Sequence, residues 1–315
     1  MSPAAPDSWT LEELRTDAAA ARALFVKQRL ADLQAEQQIY RAAHADYAKV
    51  VRAFLEATSD LANFTGDALK NREVLNLARQ LAVPPISADD LDTLTDGNFG
   101  GWLGQTTDRG GRPTDAEFAA AAKIIGERID ADRARWLAED REPTDEEREI
   151  YVEWAAAPPA AGKVMTARRS SASARQEAAT RDAAAAAGYT AVTPPSSVEN
   201  PIDDMEPATF ATAPRSLAKA SMDVPIRLKA QHPTGLLFLA IECKVSNSAL
   251  NSRKRLIEVS QKRDKWDRSG RLYQYRTAAV LSGVFDVARV LEAQQDGVFI
   301  FWEHRLQDLT DFLSK

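Results

Sequence analysis

The chain has few of the residues that build disulfides, metal clusters or membrane spans. Among its 315 residues are one cysteine, Cys243, and three scattered histidines. This composition excludes an internal disulfide and a cysteine-based zinc site, and it disfavours a histidine cluster. No apolar run reaches the roughly 18 residues that a membrane helix needs, and the first residues lack the basic and apolar regions of a signal peptide. We therefore expect a reduced, cytoplasmic protein without a membrane segment.

Charge is unevenly distributed along the chain. The 40 basic and 46 acidic residues give a net charge of −6, which argues against bulk nucleic-acid binding by the protein as a whole. Residues 241–276, however, contain ten basic and four acidic residues, a net charge of +6, so the remainder carries −12. The sequence thus concentrates positive charge in one short segment.

The first half has the pattern of a helical domain. Apolar residues recur at helical spacing, and three Thr-x-x-Glu boxes, which begin at Thr10, Thr114 and Thr144, mark helix starts. The run AAAPPAAG at 155–162 predicts a break and a domain boundary. We expect a helical domain over 1–160, which supplies dimer contacts, DNA contacts or both, and a second domain over 161–315.

A glycine-rich segment interrupts the helical half. Residues 95–113 contain six glycines around Trp102. Two interpretations remain open: a mobile surface loop, or a flexible arm whose Trp102 docks on a partner.

The second half changes to a mixed pattern. An alanine-rich helix over 163–187 should end at Gly188. Strand-like runs follow at 222–228, 236–244, 277–285 and 297–302, and a helix at 253–268 separates two of them. The fold class predicted for the chain is α+β, with a helical N-terminal region and a C-terminal domain around a mixed central sheet.

Two acidic residues are predicted to meet on this sheet. The first two strands are joined by a short loop with Pro233 and Gly235, which indicates a hairpin. Symmetric pairing about the loop places Asp223 directly across from Glu242, with their Cβ atoms about 4.5–5.5 Å apart. Lys244 shares the face of Glu242, and Cys243, predicted to be a buried strand residue, points to the other face.

Opposed carboxylates need neutralising charge, which a divalent cation supplies. Mg²⁺ takes one or two carboxylates and keeps several waters, and Lys244 beside it would stabilise a phosphate or help deprotonate a water. These are the components of metal-assisted phosphodiester hydrolysis. The acid-x-lysine triplet is not specific by itself, however, and a structural ion pair at the strand end remains the alternative.

The segment after Lys244 has the composition of a phosphate-binding surface. Short polar and basic side chains suit contacts to DNA phosphates and base edges, although a solvated basic helix has the same pattern. The candidate DNA-binding residues are Ser246, Asn247, Ser248, Asn251, Ser252, Arg253, Lys254 and Arg255.

These residues resemble those of a known nuclease family. Asp223 and the triplet Glu242-Cys243-Lys244 resemble the PD-(D/E)xK superfamily. The runs IECKVSNSALNSRKRL, TAAVLSGVF and GVFIFWEHRL, with VPPISADDL and WLAEDREPTDEE upstream, are similar to the XamI-type restriction endonucleases. The resemblance covers about residues 83–312. Met222, where proline is common before the acid, and Pro225 within the strand depart from the superfamily pattern.

The resemblance implies a type II restriction endonuclease that cuts both strands of a short palindromic DNA site with Mg²⁺. Asp223 and Glu242 would hold the metal, Lys244 would complete the catalytic set, and Glu177 on the preceding helix is a candidate fourth catalytic residue. A palindromic site implies a homodimer, and such systems pair with a DNA methyltransferase that protects host DNA.

Other functions remain open at this point. One is a nuclease of the same superfamily that acts on branched or damaged DNA. Another is a catalytically silent DNA-binding protein, against which the intact Asp223, Glu242 and Lys244 argue. A helical interaction scaffold would leave the basic segment unexplained.

Overall fold

The computed structural model describes residues 8–104, 111–194, 204–217, 219–268 and 275–315. The protein is mixed α and β, with a six-stranded mixed sheet in its C-terminal part. The predicted α+β class is therefore confirmed. In the described residues, no helix is long and apolar enough to cross a membrane.

Helices dominate the first half of the chain and alternate with strands in the second half. Within the described residues the α-helices are α1 (Leu11–Ala31), α2 (Leu33–Ala57), α3 (Arg72–Leu81), α4 (Ala88–Thr95), α5 (Phe99–Trp102), α6 (Asp115–Gly126), α7 (Arg135–Ala138), α8 (Asp145–Ala186), α9 (Ala249–Arg268), α10 (Val287–Gln295) and α11 (Gln307–Ser314). Short 3₁₀ helices lie at Asp67–Leu69 and Glu303–Arg305.

The strands form one large sheet and one small hairpin. They are β1 (Thr190–Val192), β2 (Thr209–Ala211), β3 (Arg215–Leu217), β4 (Ala220–Met222), β5 (Val224–Arg227), β6 (Phe238–Ser246), β7 (Tyr275–Gly283) and β8 (Phe299–Trp302). The large sheet has the order β1-β2-β5-β6-β7-β8, and β3 pairs with β4. β5 is antiparallel to β2 and β6, whereas the other neighbours in the large sheet are parallel.

The predicted helix ends are confirmed. Reciprocal hydrogen bonds between threonine and glutamate form capping boxes at Thr10, Thr114 and Thr144. At the end of α8, Gly188 adopts a φ of +84°, and the N–H of Tyr189 donates to the Ala184 carbonyl at 3.1 Å. This is the Schellman arrangement that glycine favours after a helix.

The predicted break at 155–162 is absent. α8 continues through Pro158 and Pro159. Both prolines lack the N–H that a helix interior uses. Two nearby alanines on either side of the prolines, Ala156 and Ala160, are fully buried, and alanine is the strongest helix former. Packing of these alanines maintains the helix where the prolines weaken it.

By contacts, the chain divides into two compact units. One consists of Gln34–Ala167, and the other combines Met1–Leu33 with Arg168–Lys315. The expectation of separate domains over 1–160 and 161–315 stays a prediction. The two observed units differ from these predicted domains, because the first helix belongs to the C-terminal unit.

The unit over Gln34–Ala167 encloses its own helical core. Phe54, Leu75, Phe99 and Phe118 are fully buried there. Trp102 is 8% exposed and packs edge-on against Phe118, with ring centroids 5.3 Å apart. The alternative in which Trp102 extends towards a partner is therefore wrong, because the core already holds its ring. Residues 105–110 of the glycine-rich segment lie outside the described residues.

The second unit is the sheet with helices on both faces. Side chains of β6 at odd positions face a core that includes α8 and α11, and those at even positions face α9. α1 contributes Leu14 and Ala21 to a third cluster with β7, β8 and α10. Trp9, just before α1, donates its ring N–H to the Ile300 carbonyl at 2.9 Å. The first helix is therefore an integral layer of the sheet unit.

Candidate active site

The hairpin register brings the two predicted acids together. Val224 pairs with Ile241, and Pro225 pairs with Ala240 without a bulge, as symmetric pairing about the loop requires. The regular pairing ends at Val224, because the N–H of Asp223 donates to the Ile241 carbonyl at 3.1 Å. The predicted direct pairing of Asp223 with Glu242 is therefore not part of the register, and the two acids meet instead on either side of Lys244. Proline is tolerated because β2 pairs with β5 only at residues 226 and 227, which leaves Pro225 in an edge-like position.

Glu242 lies at the centre of a small charged cluster. Its side chain is fully buried, and its Oε2 accepts hydrogen bonds from Nζ of Lys244 at 2.7 Å and Nζ of Lys262 at 2.6 Å. Lys262 belongs to α9, which covers this face of the sheet. The predicted shared face of Glu242 and Lys244 is thus confirmed, and the two side chains form an ion pair in the structure.

Asp223 is fixed at the edge of the same cluster. Its Oδ2 accepts a hydrogen bond of 2.8 Å from the backbone N–H of Cys243, and Nζ of Lys244 lies 3.7 Å from the same oxygen. The Asp223 side chain is 20% exposed. Lys244 therefore lies between the two carboxylates, of which Asp223 alone is open to solvent.

Burial and mutual repulsion act on the ionisation of this cluster. Burial raises the pKa of Glu242 above its ordinary value, and the negative charge of Asp223 adds to this despite both lysines. For Lys244, burial acts to lower the pKa, but Glu242 and Asp223 outweigh it and the pKa is raised. The carboxylates thus hold Lys244 as an ammonium ion, whereas the two lysines do not offset the cost of burying the Glu242 carboxylate.

The donor atoms fit a hard divalent cation. Oε1 of Glu242 is buried and has no hydrogen-bond partner, which is a costly state for a carboxylate oxygen. Carboxylate oxygens are the protein ligands that Mg²⁺ prefers, and two suffice because water completes its shell. Within the described residues, no three acids, histidines or cysteines gather as a potential metal site. The fit therefore rests on Asp223 and Glu242 alone.

Glu177 does not join these two acids as a third carboxylate. It lies on α8 and accepts a hydrogen bond of 2.9 Å from Nη2 of Arg181. The same nitrogen lies 3.3 Å from the backbone carbonyl of Asp223, to which it donates. Glu177 is thus connected to the site through Arg181.

Cys243 is a packing residue on the opposite face of the sheet. Its thiol is buried 3.6 Å from the Thr180 hydroxyl, and burial strongly raises its pKa. A neutral buried thiol is inert as a nucleophile, as predicted. On the same face, the side-chain amide of Gln176 donates to the Val280 carbonyl at 3.0 Å and so ties α8 to the sheet.

The candidate DNA-binding residues divide by exposure. Ser246 and Ser252 are buried, and their hydroxyls donate to the carbonyls of Ser248 and Ala249. They serve the turn between β6 and α9 and offer no surface to a ligand. The remaining candidates are exposed or partly exposed: Asn247, Ser248, Asn251, Arg253, Lys254 and Arg255.

Lys262 is the site residue that the sequence did not reveal. It lies twenty positions after Glu242, with no motif between them. The available signal was the spacing of α9, where Val259 and Trp266 face the sheet. The same helical turn presents both Lys262 and Arg263, so spacing alone did not distinguish them.

Comparisons with known proteins identify the family of the chain. A family model described as XamI restriction endonuclease matches residues 59–302. The type II restriction enzyme XamI of Xanthomonas campestris pv. amaranthicola is 32% identical over 284 residues, which are 88% of this chain and 95% of that protein. No solved structure gives a significant match. The chain belongs to the XamI restriction endonuclease family.

Proposed function

We propose that this protein is a type II restriction endonuclease that hydrolyses phosphodiester bonds of double-stranded DNA in the presence of Mg²⁺. The observation that carries the proposal is the convergence of Asp223, Glu242 and Lys244 beside the second half of β6. Family membership supports the DNA substrate.

Each residue of the site has a distinct role in this proposal. Asp223 and Glu242 would hold the cation, which when bound activates water and offsets phosphate charge. Lys244, kept as an ammonium ion by its neighbours, would stabilise the negative charge that develops on the phosphate. The role of Glu177 would be indirect: it accepts a hydrogen bond from Arg181, which also donates to the backbone carbonyl of Asp223.

The exposed start of α9 is the proposed DNA contact. Asn247, Asn251, Arg253 and Lys254 are exposed and follow directly on the strand that carries Glu242 and Lys244. Basic side chains there would bind phosphates, and asparagine amides suit adenine edges. DNA held at this helix would lie next to the carboxylates.

Symmetry and protection of host DNA complete the proposal. A short palindromic site would be read by a homodimer, because the two-fold axis of the site matches that of the protein. A companion DNA methyltransferase would protect the same site in the host. A DNA site that this methyltransferase has modified would then resist cleavage.

Digestion of plasmid DNA tests the function directly. With Mg²⁺ we expect a fixed set of fragments whose sequenced ends share one palindrome, and no cutting when the metal is chelated. Cutting only at branched or damaged positions would support the repair-nuclease alternative. Binding without cutting on any DNA would support the silent DNA-binding alternative and overturn the proposal.

A further inference from the structure

The charges of the candidate site are already balanced by the protein itself. Two carboxylates, Asp223 and Glu242, face two ammonium groups, Lys244 and Lys262. A divalent cation adds two positive charges to this cluster. The metal therefore meets the positive charge of Lys262 in addition to that of Lys244 in the acid-x-lysine triplet.

Lys262 is held firmly in this position. Its Nζ donates to Oε2 of Glu242 at 2.6 Å and to the backbone carbonyl of Ser221 at 2.7 Å. Ser221 precedes Asp223 by two residues, so one ammonium group contacts the segments that carry both acids. An ammonium group has three N–H donors, and its side chain is 24% exposed. Among the described residues the ammonium group has two acceptors, which leaves its third N–H for a further partner.

We infer that Lys262 is a resident counter-ion that weakens the binding of a divalent cation to Asp223 and Glu242 when no DNA is present. This inference rests on the proposed function and concerns its metal requirement. A fixed positive charge in contact with a buried carboxylate repels a second cation strongly, because water screens little there. Lys262 also stabilises the buried charge of Glu242 in the metal-free protein. Without Lys262, Lys244 would be the remaining counter-ion of Glu242 in the described structure.

DNA would relieve this repulsion. A phosphate group brings negative charge to the cluster and offers an acceptor to the free N–H of Lys262. Metal and DNA then each strengthen the binding of the other, as linkage requires. In this scheme Lys262 sets how strongly metal binding depends on DNA.

Titration of the DNA-free protein with Mn²⁺, followed by calorimetry, tests the inference. We expect Lys262→Met to bind Mn²⁺ about tenfold more tightly than the unaltered protein, since one opposing charge is removed. Lys262→Arg keeps the charge and should stay within about twofold. Lys265→Met, on an exposed position of the same helix, is the matched control and should leave Mn²⁺ affinity unchanged.

Two further measurements keep the outcome unambiguous. Thermal unfolding of each variant shows whether it is folded, and Lys262→Gln, which retains a hydrogen-bond donor, replaces the methionine variant if that one unfolds. Equal or weaker Mn²⁺ binding by a folded neutral variant overturns the inference. If the unaltered protein then still cuts plasmid DNA, the proposed function stands. If Glu242→Gln leaves Mn²⁺ binding unchanged and no DNA is cut, the proposed function itself fails.

Discussion

The carboxylate of Asp223 accepts a hydrogen bond from the backbone N–H of Cys243, at 2.8 Å. The bond attaches the residue that precedes β5 to the middle of β6, beyond the last regular pair of the hairpin. The backbone of Cys243 therefore fixes the position of the Asp223 carboxylate. An asparagine at position 223 would keep an oxygen that can accept this hydrogen bond but would lack the negative charge. The substitution therefore separates the effect of geometry from the effect of charge.

We expect Asp223→Asn to keep the fold and lose cleavage. The amide oxygen still accepts from Cys243, while the loss of a metal-binding charge should lower the cleavage rate at least about 100-fold. Asp223→Ala should lose the hydrogen bond as well and about 1 kcal/mol of stability. Cleavage assays and denaturant unfolding of the two variants measure these effects. Full activity in Asp223→Asn would contradict the metal-binding role.

Replacement of Lys244 by alanine should abolish hydrolysis and spare DNA binding. The ammonium group lies 2.7 Å from Glu242 and 3.7 Å from Asp223, so its loss should remove charge stabilisation during reaction, a factor of about 10² to 10⁴. Glu242 keeps Lys262 as a partner, so the buried acid is not left alone. Single-turnover cleavage and DNA-binding titrations separate the two effects. Retained cutting would refute the assigned role.

Removal of Arg253 and Lys254 should weaken DNA binding without a change in the metal requirement. Both side chains are exposed at the start of α9. The salt dependence of binding is measured as the slope of log K against the logarithm of the salt concentration. Each lost phosphate contact should reduce the magnitude of this slope by about 1. Lys229→Ala, near the opposite end of the hairpin, serves as the control. An unchanged salt slope in the double variant would place the DNA elsewhere.

Gly283 at the end of β7 should not tolerate a side chain. Its φ is +97°, and a Cβ there would overlap the carbonyl oxygen of Ser246. Gly188 has a similar φ of +84° but open space around it. We therefore expect Gly188→Ala to cost about 1 to 2 kcal/mol and Gly283→Ala to cost at least about 3 kcal/mol, because a clash adds to the strain. Urea unfolding compares them, and equal losses would contradict the close approach.

The site was predictable where local rules fix geometry. A short hairpin loop sets the register, so the meeting of Asp223 and Glu242 followed from the sequence alone. Lys262 did not, because its contact depends on how α9 rotates over the sheet. β1 to β4 have three residues each, too few to show a strand period. Exposure was also hidden, since the buried Ser252 and the exposed Asn251 lie in one polar run.

The packing of α1 on the last strands has a consequence for protein synthesis. The ribosome makes α1 well before β7, β8 and α10, which cover Leu14 and Ala21. Residues 34–167 have a core of their own to form during this interval, as domains generally do when they emerge. The apolar side of α1 stays without its native partners until these later elements have been made. Until then, that surface is exposed to chaperones.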